Sequence, residues 1–451
     1  MEQVVTYSTE RCSMATHLPQ ILLIALSAIL VWPTLAPAQL PAPAQRPAVL
    51  VNPHVQGNGT ARTIQDGIEM VDAGGKVMIL PGTYRETIKI EKGLTLEAVG
   101  RESGPVIVEP PGVPTIGIEI TTPEPVVIRG ITVHSTGFSG IRGLGVVDVT
   151  IEGVTVVAVN PPVPPSPFSR LISAANDCSP NCSPDPPDRA RLTVRDSFLD
   201  GTIACSTWPA CGAEPSPIYP EVYGIIIVGD VDAVLERNVI RRAGAACILV
   251  LVRDDLGGET NVNMLDNDLD ECHGRGRGGA IFVGPRALND PSDTRPLTAT
   301  GQVNIVGNTI RNSSASCRTP TAINYQALGG QVERNRIEGV VQSCSAVGGA
   351  RALPGGIWLG SRLNFYPPVN VDVQFNDIVG NAQAGLRVGP NMTLPIGATC
   401  NWWGDVSGPS VAGPGTGDAV VVQAPAATPV FTPWASAPIA ETAETTCTGG
   451  S

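Results

Sequence analysis

One spacing pattern constrains this chain more than any other feature: apolar, any, apolar, any, any, Asn, any, apolar, clearest in Val303-Asn304-Ile305-Val306-Gly307-Asn308-Thr309-Ile310. The same frame holds Ala233, Leu235, Asn238 and Ile240, then Val262, Met264, Asn267 and Leu269, then Val371, Val373, Asn376 and Ile378. Asn335 and Asn401 occupy the same place, and in earlier copies Ile131, Val154 and Ser197 take it. Successive positions are 23, 43, 41, 29, 41, 27, 41 and 25 residues apart, so short units alternate with units enlarged by an insertion. A repeat on this scale marks a solenoid, in which a unit that buries little alone stacks on its neighbours to make one continuous core.

Each unit carries a second apolar run, as in Gly224 to Val228, Gly279 to Val283, Ala322 to Tyr325, Gly356 to Leu359 and Gly385 to Val388. Two or three short strands per coil are therefore expected, with period-two alternation sending one set of side chains inward. The repeated Asn is expected at a sharp inward bend, donating to the coil on one side and accepting from the other. Its other reading is an ordinary turn residue. Both ends need caps. Thr63 to Ala73 places Ile64, Ile68 and Val71 on one helical face with Gly74-Gly75 as the stop, and a second cap follows Asn401. The fold class read from this pattern is all-β, a parallel β-helix of about nine or ten coils with a short N-terminal capping helix.

Composition agrees. With 50 Gly and 42 Pro, long helices are disfavoured, and charged residues are 16% against a usual value of about 25%. A net charge of −12 argues against a nucleic-acid partner, and the apolar content argues against disorder. The basic residues are almost all Arg. The three Lys, at 76, 89 and 92, sit in one early stretch.

Residues 1–38 read as an export signal, with an apolar core from Ile21 to Trp32 and Ala36-Pro37-Ala38 before the cleavage point. An uncleaved anchor is the other reading, and Glu2, Glu10 and a lone Arg11 leave Met14 competing with Met1 as the initiator. A Pro/Ala-rich linker over 39–50, the β-helix over 51–437 and a tail over 438–451 complete the expected organisation. The product is expected to be secreted or periplasmic, monomeric, and free of membrane after cleavage.

Ten cysteines remain once Cys12 leaves with the signal, an even number that suits disulfides in an oxidising compartment. Cys317 and Cys344 lie nine residues after their ladder Asn and should meet on neighbouring coils. Cys247 with Cys272, and Cys400 with Cys447, are the other expected pairs; Cys178, Cys182, Cys205 and Cys211 fall in two Pro-rich insertions with connectivity open.

Thr63-Ile-Gln-Asp-Gly-Ile-Glu, Val77-Met-Ile-Leu-Pro-Gly-Thr-Tyr-Arg-Glu and Ile88-Lys-Ile-Glu-Lys-Gly-Leu-Thr-Leu resemble the opening of right-handed parallel β-helix proteins of the pectin-lyase-like superfamily. Asn401-Trp402-Trp403-Gly404-Asp405-Val406-Ser407-Gly408-Pro409 and Phe431-Thr432-Pro433-Trp434 resemble the closing segment of secreted members. The resemblance implies a right-handed helix and a link to polysaccharides, since the superfamily includes pectate lyases, pectinesterases, polygalacturonases and alginate epimerases and lyases. Their deciding motifs are not found: no Gly-His-Gly, no Asp-Pro-His-Asp, and no Lys in the central coils.

Two constellations are candidates for function. Asp270-Glu271-Cys272-His273-Gly274-Arg275-Gly276-Arg277 puts carboxylates, an imidazole and two guanidinium groups on one Gly-rich bend. His273 or Arg275 as base, with Arg277 neutralising charge, would suit proton abstraction beside a uronate carboxyl; a charged surface turn is the alternative. The second is an outer row on the second strands. If Ile226, Ile281, Ile323, Ile357 and Leu386 face inward, then Ile227, Phe282, Asn324, Trp358 and Arg387 stack outside, extended by Arg362 and Tyr366, to hold sugar rings and acidic glycans. Packing under long loops is the alternative for Trp358 and Phe282. Asp266, Asp268, Asp270 and Glu271 could hold Ca²⁺, or simply be solvated; no other cofactor or metal is expected. The function expected is therefore a secreted protein that binds or processes polysaccharide as a lyase or hydrolase, the alternative being a non-catalytic surface or carbohydrate-binding solenoid.

Overall fold

The computed structural model describes residues 46–54, 60–112, 115–159, 168–176, 189–202, 221–252, 258–272, 279–285, 299–315, 321–342, 355–360, 369–381, 383–439 and 447. The leader and most of the linker lie outside this set. So do His273, Arg275, Arg277, Arg362, Tyr366, Cys317, Cys344 and the four cysteines of the Pro-rich insertions.

The chain winds as a parallel β-helix with three strands to a coil. Gln302–Val306 lies on the first sheet, the bend at Asn308 turns the chain into Thr309–Arg311 on the second, Thr321–Tyr325 runs along the third, and Gly329–Glu333 returns to the first. Three long all-parallel sheets of twelve, ten and twelve strands result among the described residues, and the ten strands of the second sheet mark ten coils there. The first strand, Ala48–Val51, already pairs with Lys76–Ile79, so the solenoid begins inside the stretch expected to be linker.

The alternation read from the sequence becomes columns of like side chains. On the third sheet Ile88, Ile118, Ile141, Ile172, Ile225, Ile248, Ile281, Ile323 and Ile357 stand in register one per coil, and Leu386 and Val420 continue the column. All eleven are buried. Leu199, Ile240, Leu269, Ile310, Ile337 and Ile378 form the matching column on the second sheet. Each fully buried side chain of this size stabilises by about 1.5–3 kcal/mol, and β-branched Ile suits a pleated stack.

This column corrects one orientation. Ile225, not Ile226, takes the inward place, so Ile226 belongs to the outer row and Ile227 to the core. Val222 to Val228 has no polar alternation to mark its faces, and a one-residue slip exchanges them.

The N-terminal cap is Ile64–Met70, shorter than the expected span. Thr63 Oγ1 accepts from Asp66 N at 3.0 Å, and Glu86 receives Ile64 N and Gln65 N at 2.8 and 2.9 Å. Val71 is buried as expected but extended, because Asp72 N donates to Arg46 O and draws the chain into the sheet. A Cβ on Gly67 would meet Val51 Cγ2 at 2.7 Å, which is how closely the helix sits on the first coil. At the other end Pro409–Val411 and Gly417–Val422 close the third sheet, with Trp403 and Trp434 buried beneath.

The Asn positions form one buried ladder. Asn238, Asn267, Asn308, Asn335 and Asn376 each donate Nδ2 to the Oδ1 of the next, at 2.8 to 3.0 Å. Each also donates to a carbonyl of the preceding coil, as Asn308 does to Met264 O at 2.9 Å, while its backbone N–H reaches the next Oδ1. Asn401 ends the run on Val373 O, and Ser197 begins it by receiving Val154 N on its hydroxyl.

Candidate functional site

The outer row of the third sheet is aligned across coils but is not an open surface. Ile226, Leu249, Phe282, Asn324, Trp358 and Arg387 stand in register. Every one of them is buried, Phe282 completely and Arg387 to 2% exposure. Tyr223, Ile226, Ala245, Ala246, Leu249, Leu251 and Phe282 make a second apolar cluster outside the main core. Trp358 donates Nε1 to Gly360 O at 2.7 Å, and the Arg387 guanidinium lies 5.8 Å from its ring centroid. The expected strip thus exists as a column, with the apolar and cation–π contacts of packed structure.

Of the acidic–basic bend, Asp270, Glu271 and Cys272 are described. Asp270 closes the strand Asp268–Asp270 on the second sheet; Glu271 follows with φ 54°, a left-handed turn residue. Asp270 accepts from Asn312 Nδ2 at 2.9 Å and pairs with Arg311 at 3.6 Å, while Asp268 takes Arg311 at 2.7 Å. Two of the four carboxylates considered for Ca²⁺, Asp268 and Asp270, are therefore paired with a guanidinium, and no group of three or more ligating side chains gathers among the described residues. The outward stripe here alternates in sign, Asp200, Arg241, Asp270, Arg311 and Glu338, one per coil. The hydrogen bond that Arg311 donates to Asp268 holds its guanidinium even further above its ordinary range. Opposite charges thus stand on neighbouring coils along the stripe.

The first sheet presents a different face. Its outward row runs Thr150, Thr193, Val234, Asn263, Asn304, Gln331, Asp372 in register. Asn304 Nδ2 donates to Asn263 Oδ1 at 2.9 Å, and Gln302, Asn370 and Asn261 lie beside the row. Gln302, Gln331, Asn370 and Asp372 are exposed, so the last four coils offer a face built mainly of primary amides. An amide donates and accepts at once, as a sugar hydroxyl does. Sequence reasoning passed over this row, although its trace is plain: it is the residue between the two apolar positions of each repeat, as in Val303-Asn304-Ile305 and Val262-Asn263-Met264.

Two expected disulfides are present. Cys247–Cys272 joins neighbouring coils with Cα atoms 5.5 Å apart, and Cys400–Cys447 ties the tail to the last coil at 5.1 Å. Among the described residues no helix is long and apolar enough to cross a membrane. No protein-family model matches the chain, and a search of curated proteins returned no match.

Proposed function

We propose that the protein is a secreted polysaccharide-binding solenoid of the pectin-lyase-like kind, and that the glycan lies along the outward face of the first sheet. The observation that carries this reading is the row Asn263, Asn304, Gln331 and Asp372, repeated once per coil. Coils stack about 4.8 Å apart, a rise comparable to one sugar unit of an extended glycan, so successive sugars meet successive amides. Export is supported by the apolar leader and by the two disulfides. Processing would call on His273, Arg275 and Arg277, which only the sequence places.

A second reading, a solenoid with a purely structural role, draws support from the stripe of alternating charge on the second sheet. The discriminating experiment incubates purified protein with neutral and acidic polysaccharides while following retention, ultraviolet absorbance and reducing ends. Retention by wild type, weakened at least tenfold in Asn304→Leu/Gln331→Leu, is expected. New double bonds would add elimination and new reducing ends hydrolysis. No retention on any polysaccharide overturns the reading in favour of the structural one.

A further inference from the structure

Away from the amide face, at the bend between the second and third sheets in the first coils, Arg85, Glu109, His134 and Thr136 surround a concavity of about 300 Å³ walled by Pro110, Pro111 and Val159. Arg85 Nε donates to Glu109 Oε2 at 3.0 Å. That hydrogen bond holds the Glu109 carboxyl below its ordinary range, so at neutral pH it is an acceptor only. His134 Nδ1 lies 3.8 Å from Glu109 Oε1, beyond hydrogen-bond range, and it is buried with no hydrogen-bond partner among the described residues. Thr136 Oγ1 is fixed by Thr115 and Gly112, so its position is set.

We infer that this concavity is a subsite for a single neutral sugar ring. One hydroxyl fits between the two groups, accepting from the imidazole N–H and donating to Glu109, which satisfies a buried polar atom that has no hydrogen-bond partner among the described residues. The C–H face of the ring rests on the two prolines and Val159. Arg85 and Glu109 cancel in charge, and a ligand carboxylate would meet Glu109 directly, so the site selects neutral sugars over uronates. The volume matches the small end of ligand sites. This site shares its ligand class with the amide face but none of its residues.

The test follows the His134 ring resonances of the full-length protein by NMR during titration with D-glucose, D-galactose and D-galacturonate, with His134→Gln assigning the signal. A saturable shift with a neutral sugar is expected, weakened at least tenfold in Glu109→Gln and in Val159→Trp, which narrows the site from its apolar wall. Galacturonate should shift the ring at least tenfold less readily. No saturable shift with either neutral sugar, equal response to galacturonate, or an unchanged affinity in Glu109→Gln each overturns the inference. Because the probes are monosaccharides, failure of polymer retention on the first sheet leaves this outcome unaffected.

Discussion

Each ladder Asn carries more than its own hydrogen bonds. Asn308 receives Asn267 N and Nδ2 on one oxygen, and its Nδ2 covers Met264 O while reaching Asn335. Truncating it strands donors and an acceptor in the dry bore. Asn308→Ala is expected to destabilise by about 2–6 kcal/mol, at about 1–3 kcal/mol for each buried group left unpaired, read as a lowered urea midpoint; a loss below about 1 kcal/mol would mean that water or a shifted turn replaces the amide. This ladder was legible because both its residue type and its offsets repeat. The His134 concavity was not legible. Its residues come from separate coils, and neither a lone His nor Glu109-Pro110 stands out from surface sequence.

At the scale of the turn, a regularity lies just before each ladder residue. Gly130, Gly153, Asp196, Arg237, Asp266, Gly307, Arg334, Phe375 and Cys400 all have left-handed φ, from 51° to 71°. Only three are glycine, and stacking holds the rest in a conformation that L residues disfavour by roughly 1–2 kcal/mol. Position decides what a substitution does. A Cβ on Gly307 would sit 2.1 Å from Asp266 Oδ1 as well as at positive φ, so Gly307→Ala should lower the melting temperature, by an amount corresponding to about 1–2 kcal/mol. Arg334→Gly, in the same row, should change it little; the reverse order would show that backbone conformation does not limit these bends. The sequence frame counted this place as indifferent because its residues share no chemistry, only a dihedral angle. For the same kind of reason the third sheet was misread by one residue at Ile226: where every neighbour is apolar, pairing with the Ile248 coil chooses the face.

At the scale of the whole molecule, stability is a sum over stacked coils, so crosslinks between coils act on the stack. Cys247–Cys272 closes a loop of 25 residues across two coils. Cys247→Ala/Cys272→Ala is expected to cost about 3–4 kcal/mol by the loop-closure relation, measured as the shift in denaturation midpoint against wild type; no shift would place the constraint in the packing alone. What the sequence determined by itself was the winding: periodic apolar residues, a periodic amide and short turn-bounded strands can be satisfied together only when each coil lies on another. Strand alternation and coil count followed from that. Only the tertiary structure decided which outward rows are open. Phe282, Trp358 and Arg387 line up as their spacing implies yet are buried, whereas Asn304 and Gln331 line up on a face that reaches solvent. Alternation tells in from out along a strand, but whether an outward side chain meets water depends on chain arriving from elsewhere in the fold, and no local period encodes that.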